Sequence, residues 1–135
     1  MGIVVTQKGA KFILNSFLNG DNSSKNLTAR LFVNDIIPTS TQTEKNFVEA
    51  KGGGYASKFL LAGGWYIDIL DSTASFKEQV WKFTSELTEN KIIYGYYVLD
   101  NKGNLLWGER FKEYYIPMKD GSKLIWFPKI QIFLD

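Results

Sequence analysis

Apolar and polar residues alternate with a period of two along much of this chain. Leu27, Ala29, Leu31 and Val33 alternate with Thr28, Arg30, Phe32 and Asn34, the pattern of a strand with one face on a core. Residues 55–61 and 65–70 read as two more strands divided by Gly63-Gly64, with Trp65, Ile67 and Ile69 opposite Tyr66 and Asp68. The clearest element is a β-hairpin over residues 92–111, in which two runs rich in β-branched and aromatic residues flank Asp100-Asn101-Lys102-Gly103-Asn104. Gly103 can take the positive φ such a turn requires. The same alternation puts Tyr94 and Tyr96 on one face of the first arm and Tyr97 on the other. After the hairpin, Pro117 and a turn at residues 118–122 lead to a strand at 124–127, and Pro128 separates it from a last strand at 129–134.

Two segments depart from this rhythm. Ile13, Leu14, Phe17 and Leu18 have the spacing of one helical face, and Asn19-Gly20 ends the run, which predicts a short helix over residues 9–19. Residues 75–87 fit two periods. Phe76, Val80, Phe83 and Leu87 make a helical stripe behind Ser75-x-x-Glu78, whereas Gln79, Trp81 and Phe83 alternate with Val80, Lys82 and Thr84, and the strand is preferred. Residues 20–26 are polar and loop-like, residues 35–46 form an exposed connection around Pro38, and residues 47–50 make a short strand before Gly52-Gly53-Gly54. Many short strands with one N-terminal helix imply a single mainly β domain over residues 1–135, an antiparallel β-sandwich or barrel of jelly-roll-like kind.

At 135 residues the chain can bury a sizeable core without disulfides or a structural metal. Cysteine and histidine are both absent, which excludes thiol nucleophiles, zinc sites built on Cys or His, and imidazole-based triads. The net charge is +2, and Arg30 and Arg110 are the only arginines among sixteen basic residues; the lysines are spread singly, which argues against a nucleic-acid partner. No apolar run approaches the ~18 residues of a membrane span, so no membrane partner is expected. Gly2 with Thr6 fits the loose myristoylation pattern, and Asn22-Ser23-Ser24 and Asn26-Leu27-Thr28 match the glycosylation sequon; they read as a first strand or arm and a polar loop. Aromatics form 16% of the chain, more than a core of this size is expected to absorb, which points some of them toward an interface.

Carboxylates are the remaining candidates for chemistry. Asp68 with Asp71, or Glu109 with Glu113, could serve as the acid and nucleophile of a glycosidase, but pairs like these arise readily among fourteen acidic residues and read as surface and turn groups. The triple glycine lacks both phosphate-binding motifs and reads as a flexible loop. In Asp100-x-x-Gly103-Asn104 a lysine stands where a calcium loop needs an oxygen ligand, which leaves a hairpin turn. No catalytic residue, cofactor or metal is expected. The aromatic set Tyr94, Tyr96, Tyr97, Trp107, Tyr114, Tyr115, Trp126 and Phe127 fits either packing or a sugar-stacking platform, and packing is preferred.

The order Val5-Thr6-Gln7-Lys8-Gly9-Ala10, Leu27-Thr28-Ala29-Arg30-Leu31-Phe32-Val33-Asn34-Asp35, Gly52-Gly53-Gly54-Tyr55-Ala56, Tyr94-Gly95-Tyr96-Tyr97-Val98 and Leu105-Leu106-Trp107-Gly108-Glu109-Arg110-Phe111 resembles small structural proteins of tailed bacteriophages, most of all capsid cement or decoration proteins. Where the family's Leu-Trp-x-Glu-Arg-Phe segment carries alanine, this chain has Gly108. The resemblance implies a virion protein, assembled in the host cytoplasm, whose partners are the major capsid protein and copies of itself in a homo-oligomeric array. Tyr97, Trp107, Tyr115, Trp126 and Phe127 are the expected interface residues, and residues 2–6 and 129–134 the expected contact segments, able to add to a neighbour's sheet edge. The competing expectations are a carbohydrate- or receptor-binding module of a tail or baseplate and a minor hydrolase using a carboxylate pair.

Overall fold

A computed structural model describes residues 7–19 and 26–131. It is mainly β, with antiparallel sheets and one short helix in a sandwich-like arrangement. The helix is α1 (Gln7–Leu18), and the strands are β1 (Leu27–Phe32), β2 (Lys58–Leu60), β3 (Tyr66–Asp68), β4 (Thr73–Ser75), β5 (Gln79–Lys82), β6 (Ile93–Leu99), β7 (Leu105–Tyr115), β8 (Lys123–Trp126) and β9 (Lys129–Gln131). They form a four-stranded sheet in the order β2-β1-β6-β7, a three-stranded sheet β3-β4-β9 and a two-stranded sheet β5-β8.

Three of these ladders are parts of one ribbon. Thr73 pairs with Gln131, Gln79 with Trp126, Ser85 with Lys119, Tyr97 with Gly108 and Leu99 with Leu105. Each step forward along residues 73–99 is thus a step back along residues 105–131, up to the turn at residues 100–104. That turn is the one expected from sequence. Asp100 Oδ1 accepts the Lys102 and Asn104 backbone N–H groups at 2.9 and 2.8 Å, and Gly103 adopts φ +85°. These bonds, with a further one from the Asn104 side chain as the leading cause, hold the Asp100 carboxyl below its ordinary pKa.

The ribbon turns corners where its register slips. Between β4 and β5 one arm carries an extra residue, and opposite it stands Pro128, which has no N–H to give a ladder. A single bond from Phe76 N to the Pro128 carbonyl, 3.1 Å long, carries the pairing across the bend. The segment 79–82 is therefore a strand. Gln79, Trp81 and Phe83 are buried while Lys82 and Thr84 are exposed, because two-residue periodicity places the bulky set against the four-stranded sheet.

The principal core lies between the layers. Leu27, Ala29 and Leu31 of β1 and Tyr96 and Val98 of β6 meet Trp81, Phe83 and Trp126 from the bent ribbon. Leu14 and Leu18 bury one side of α1 in this core, whereas Ile13 and Phe17, expected on the same apolar face, remain exposed. The Asn19 side chain pins the end of α1: it donates to the Trp65 carbonyl at 2.8 Å and accepts the Trp65 N–H at 3.0 Å.

A second, smaller core covers the opposite face of the four-stranded sheet. Phe32, Phe47, Tyr97 and Leu99 form it, with Phe47 stacked on Tyr97 at 4.6 Å and edge-on to Phe32 at 5.1 Å. Phe32 thus lies on what alternation marked as the polar face of β1. Residues 48–50 follow Phe47 into a backbone pairing with the end of β1, where Val33 N donates to Val48 O and Ala50 N to Leu31 O, both at 2.9 Å.

Gly52-Gly53-Gly54 is a packed turn and not a loose loop. All three residues have positive φ, and Thr84 N and Thr88 N donate to Gly53 O and Lys51 O at 2.8 Å. A methyl group on Gly53 would stand 2.6 Å from the Ser85 carbonyl oxygen, so backbone approach forbids a side chain there.

Gly95 carries a similar constraint at the centre of the sheet. A methyl group there would lie 2.2 Å from the Glu109 carbonyl oxygen and 2.6 Å from the Phe32 ring. Gly95→Ala is expected to cost about 3 kcal/mol, read as a lower urea midpoint with an unchanged denaturant slope; an unchanged midpoint would refute this account of the sheet centre.

Candidate functional site

The five aromatic residues expected at an interface do not share a surface. Tyr97 is 1% exposed in the smaller core, and Trp126 is buried against Trp81 and Tyr96, with ring centroids 5.9 and 4.3 Å away. Tyr97 is enclosed, and Trp126 keeps only a small exposed margin. Tyr115 is half-buried beside Phe83, and Trp107 is half-buried on β7, where it lines a cleft with Pro38, Phe47 and Gly108. Phe127, 68% exposed, is the one member that offers an open ring.

Two physical causes make the exposure and facing of the aromatic residues differ from what strand alternation predicts. Alternation separates the faces of a strand but does not reveal that residues 32–47 return to cover the outer face, which is what buries Tyr97. In addition, the register between β6 and β7 slips between Ile93 and Gly95. Tyr94 consequently packs on the smaller-core side while Tyr96 packs on the principal core, so the two do not share a face. The Arg110 guanidinium lies over the Tyr94 ring at 4.9 Å and donates to the Ile36 carbonyl and the Asp35 carboxylate, which ties residues 35–36 to β7.

Trp126 and Phe127 border a groove of about 510 Å³ between β7 and the β8–β9 arm. Tyr96, Glu109 and Phe111 form one wall, and Lys129 and Gln131 stand on the other. Burial, and then the Glu109 carboxylate, raise the Tyr96 hydroxyl pKa well above its usual value. Among the described residues the groove runs beside strand edges without a partner, since β7 and β9 are end strands and β8 pairs with β5 alone. Ile125 is also exposed there. The expected contact segment 129–134 is represented by β9, which is an edge strand; residues 132–134 and the segment 2–6 lie outside the described residues.

The carboxylates occupy structural positions. Asp68 Oδ1 accepts the Leu70 N–H at 2.9 Å and Asp71 Oδ1 accepts the Thr73 hydroxyl at 2.6 Å, both within the turn joining β3 to β4. Glu109 pairs across the ladder with Tyr96, and Glu113 lies exposed on β7. Among the described residues no three His, Cys, Asp or Glu side chains are grouped to hold a metal ion.

One polar cluster escaped sequence reasoning. The Tyr55 hydroxyl accepts the Leu31 N–H at 3.2 Å and donates to Glu49 Oε2 at 2.8 Å, while Arg30 Nε lies 3.5 Å from Glu49 Oε1. Tyr55 thereby completes the edge of β1 between the reach of residues 48–50 and that of β2. Glu49 and Tyr55 lie on either side of the triple glycine while Arg30 comes from β1, and no motif spacing announces the set.

Comparison with known proteins finds no matching family model, no matching characterised protein and no matching solved structure.

Burial pushes the Tyr97 hydroxyl up to about 12, with the nearby Arg30 guanidinium acting in the opposite direction. The Tyr55 and Tyr96 hydroxyls are raised too, chiefly by burial. A tyrosine that binds its proton more tightly when folded contributes fully below pH ~10 and loses that contribution as pH rises through its folded value. The urea midpoint should therefore fall between about pH 10 and pH 12, and Tyr97→Phe should shrink that fall. An equal fall in both proteins would show that Tyr97 is not a source of the alkaline loss.

Proposed function

We propose that this chain is a non-enzymatic structural component of a tailed-phage virion, a cement or decoration protein that binds the capsid shell and neighbouring copies. The observation that carries this reading is the second arm of the ribbon. Among the described residues its strands β7, β8 and β9 each have an outer edge without a partner strand, and Ile125 and Phe127 on this arm are exposed. Unpaired backbone beside exposed apolar side chains favours association with another β surface. A small domain gains from such an edge when it is repeated many times on a symmetric shell, where modest contacts add through multiplicity. The dispersed lysines suit a solvated surface and give nucleic acid no arginine fork to grip.

Purified virions should contain the protein in copies on the order of hundreds, bound to the head shell, because every equivalent site is filled. Phe127→Asp should leave the melting temperature of the isolated protein within a few degrees of the parent while lowering shell occupancy roughly tenfold. A handful of copies at one vertex would reverse the assignment in favour of the tail.

One feature favours a second reading, a glycan-binding module of a tail or baseplate. The groove beside Phe127 combines aromatic rings with the carboxylate, ammonium and amide groups of Glu109, Lys129 and Gln131, a mixture that suits a sugar with one apolar and one hydroxylated face. On a glycan array, binding that disappears in Phe127→Ala with unchanged thermal stability would establish this function; an array with no binding would exclude it.

A further inference from the structure

The two-stranded sheet β5-β8 turns one face inward, where Trp81, Leu124 and Trp126 join the principal core. On its other face the rungs are Val80 opposite Ile125 and Lys82 opposite Lys123. Ile125 is 47% exposed, and both lysines are exposed. Two ammonium groups thus leave one sheet face from directly opposite positions, an arrangement that like-charge repulsion disfavours. The apolar rung lies two residues along the strands, about 7 Å away. Phe127, two residues further and 68% exposed, continues the row.

Elsewhere cations of this chain are paired. Arg30, Lys51, Lys91 and Arg110 each meet a carboxylate, of Glu49, Glu89, Glu86 and Asp35 in turn. Among the described residues Lys82 and Lys123 meet none. Glu78 lies four residues before Lys82, about 13 Å along extended backbone. Glu86, four residues after it, is bonded to Lys91, and Asp120 stands in the turn beyond Gly121. The repulsion on this rung is therefore uncompensated within the molecule, and an anion brought from outside relieves it. The neighbouring row decides what carries that anion. Ile125 and Phe127 offer an apolar contact that a phosphate backbone cannot return, and two point-like ammonium groups lack the fork that grips phosphate in two places. A carboxylate side chain beside an apolar one satisfies both parts of the face.

We infer that the Lys82–Lys123 rung binds a carboxylate side chain of an apposed protein surface, whose adjacent apolar side chain packs on Ile125 and Phe127. Both ammonium groups reach the same carboxylate, so binding removes their repulsion and adds two attractions at once. The apolar row contributes contact area, while the rung fixes which way round the partner lies. This deepens the proposed function by naming the chemistry of the shell surface that meets this arm, and it rests on that reading for the identity of the partner.

Binding of the full chain to isolated capsid shells tests the contact. Lys82→Glu gives the rung opposite charges, so the isolated protein should keep or raise its urea midpoint while shell occupancy falls roughly tenfold. A folding defect would lower both. Lys45→Glu changes the net charge equally from another exposed position and should bind as the parent does. Between about 0.1 M and about 1 M salt, binding of the parent should weaken more steeply than that of Lys82→Glu. Shell binding by Lys82→Glu equal to the parent's, or a loss matched by Lys45→Glu, would overturn the inference and leave the capsid role standing. A parent that binds no shell removes the capsid role instead, and poly-glutamate then reads the rung without a shell. Retention at low salt of the parent and Lys45→Glu, but not of Lys82→Glu, upholds an acidic partner; equal retention of all three, or none, overturns it.

Discussion

The junction of β1 and β6 is the constraint on which the other elements depend. Phe32 stands opposite Gly95, and the absence of a side chain on Gly95 lets the Phe32 ring lie against the sheet while Glu109 closes in from β7. With that ring seated, Phe47 can stack on Tyr97, and the chain that follows Phe47 is brought to the edge of β1. On the other face of the same two strands, Leu31, Tyr96 and Val98 receive Trp81 and Trp126. A sheet only four strands wide is therefore buried on both sides at its centre. That accounts for a content of aromatic residues beyond what one core would take.

The second layer is built by bending. A single ribbon, registered from the turn at residues 100–104 outward, supplies the central hairpin and then folds over it to supply the opposing strands. Pro128 and the slip beside Phe76 set the first corner, and the docking of the triple glycine on residues 84–88 holds the second. Because both corners fall where ladder hydrogen bonds are missing, the bends cost little pairing. They leave the layers joined by side chains and not by a closed ring of strands, so among the described residues β2 and β7 remain end strands.

Much of this was legible along the chain. The hairpin turn was readable because Asp100, Gly103 and Asn104 act locally, and residues 79–83 because their bulky positions kept a strict period of two across a helical alternative. The face of Tyr94 was not readable, since a register slip is a property of two strands and neither one announces it. Nor was the burial of Tyr97, which depends on a covering segment that arrives from fifty residues earlier in the sequence. The triple glycine looked permissive by composition and proved to be a site of close backbone approach. The sequence offered a set of aromatic residues for an interface but could not rank them by access. Exposure is decided by the folding of the ribbon, and it left Phe127 open while it enclosed Trp126.

A ribbon with one turn and one register also dictates an order of assembly. Once the five residues of the tip are closed, each further rung encloses only a few more residues than the last, so the pairing can zip outward with little added loop entropy. The rungs between β4 and β9 form at the far end of that process, beyond both corners, where a lost rung frees only the chain outside it. The molecule thus concentrates its packing around Phe32 and Gly95 and leaves its outer strands held by the last rungs of the ribbon.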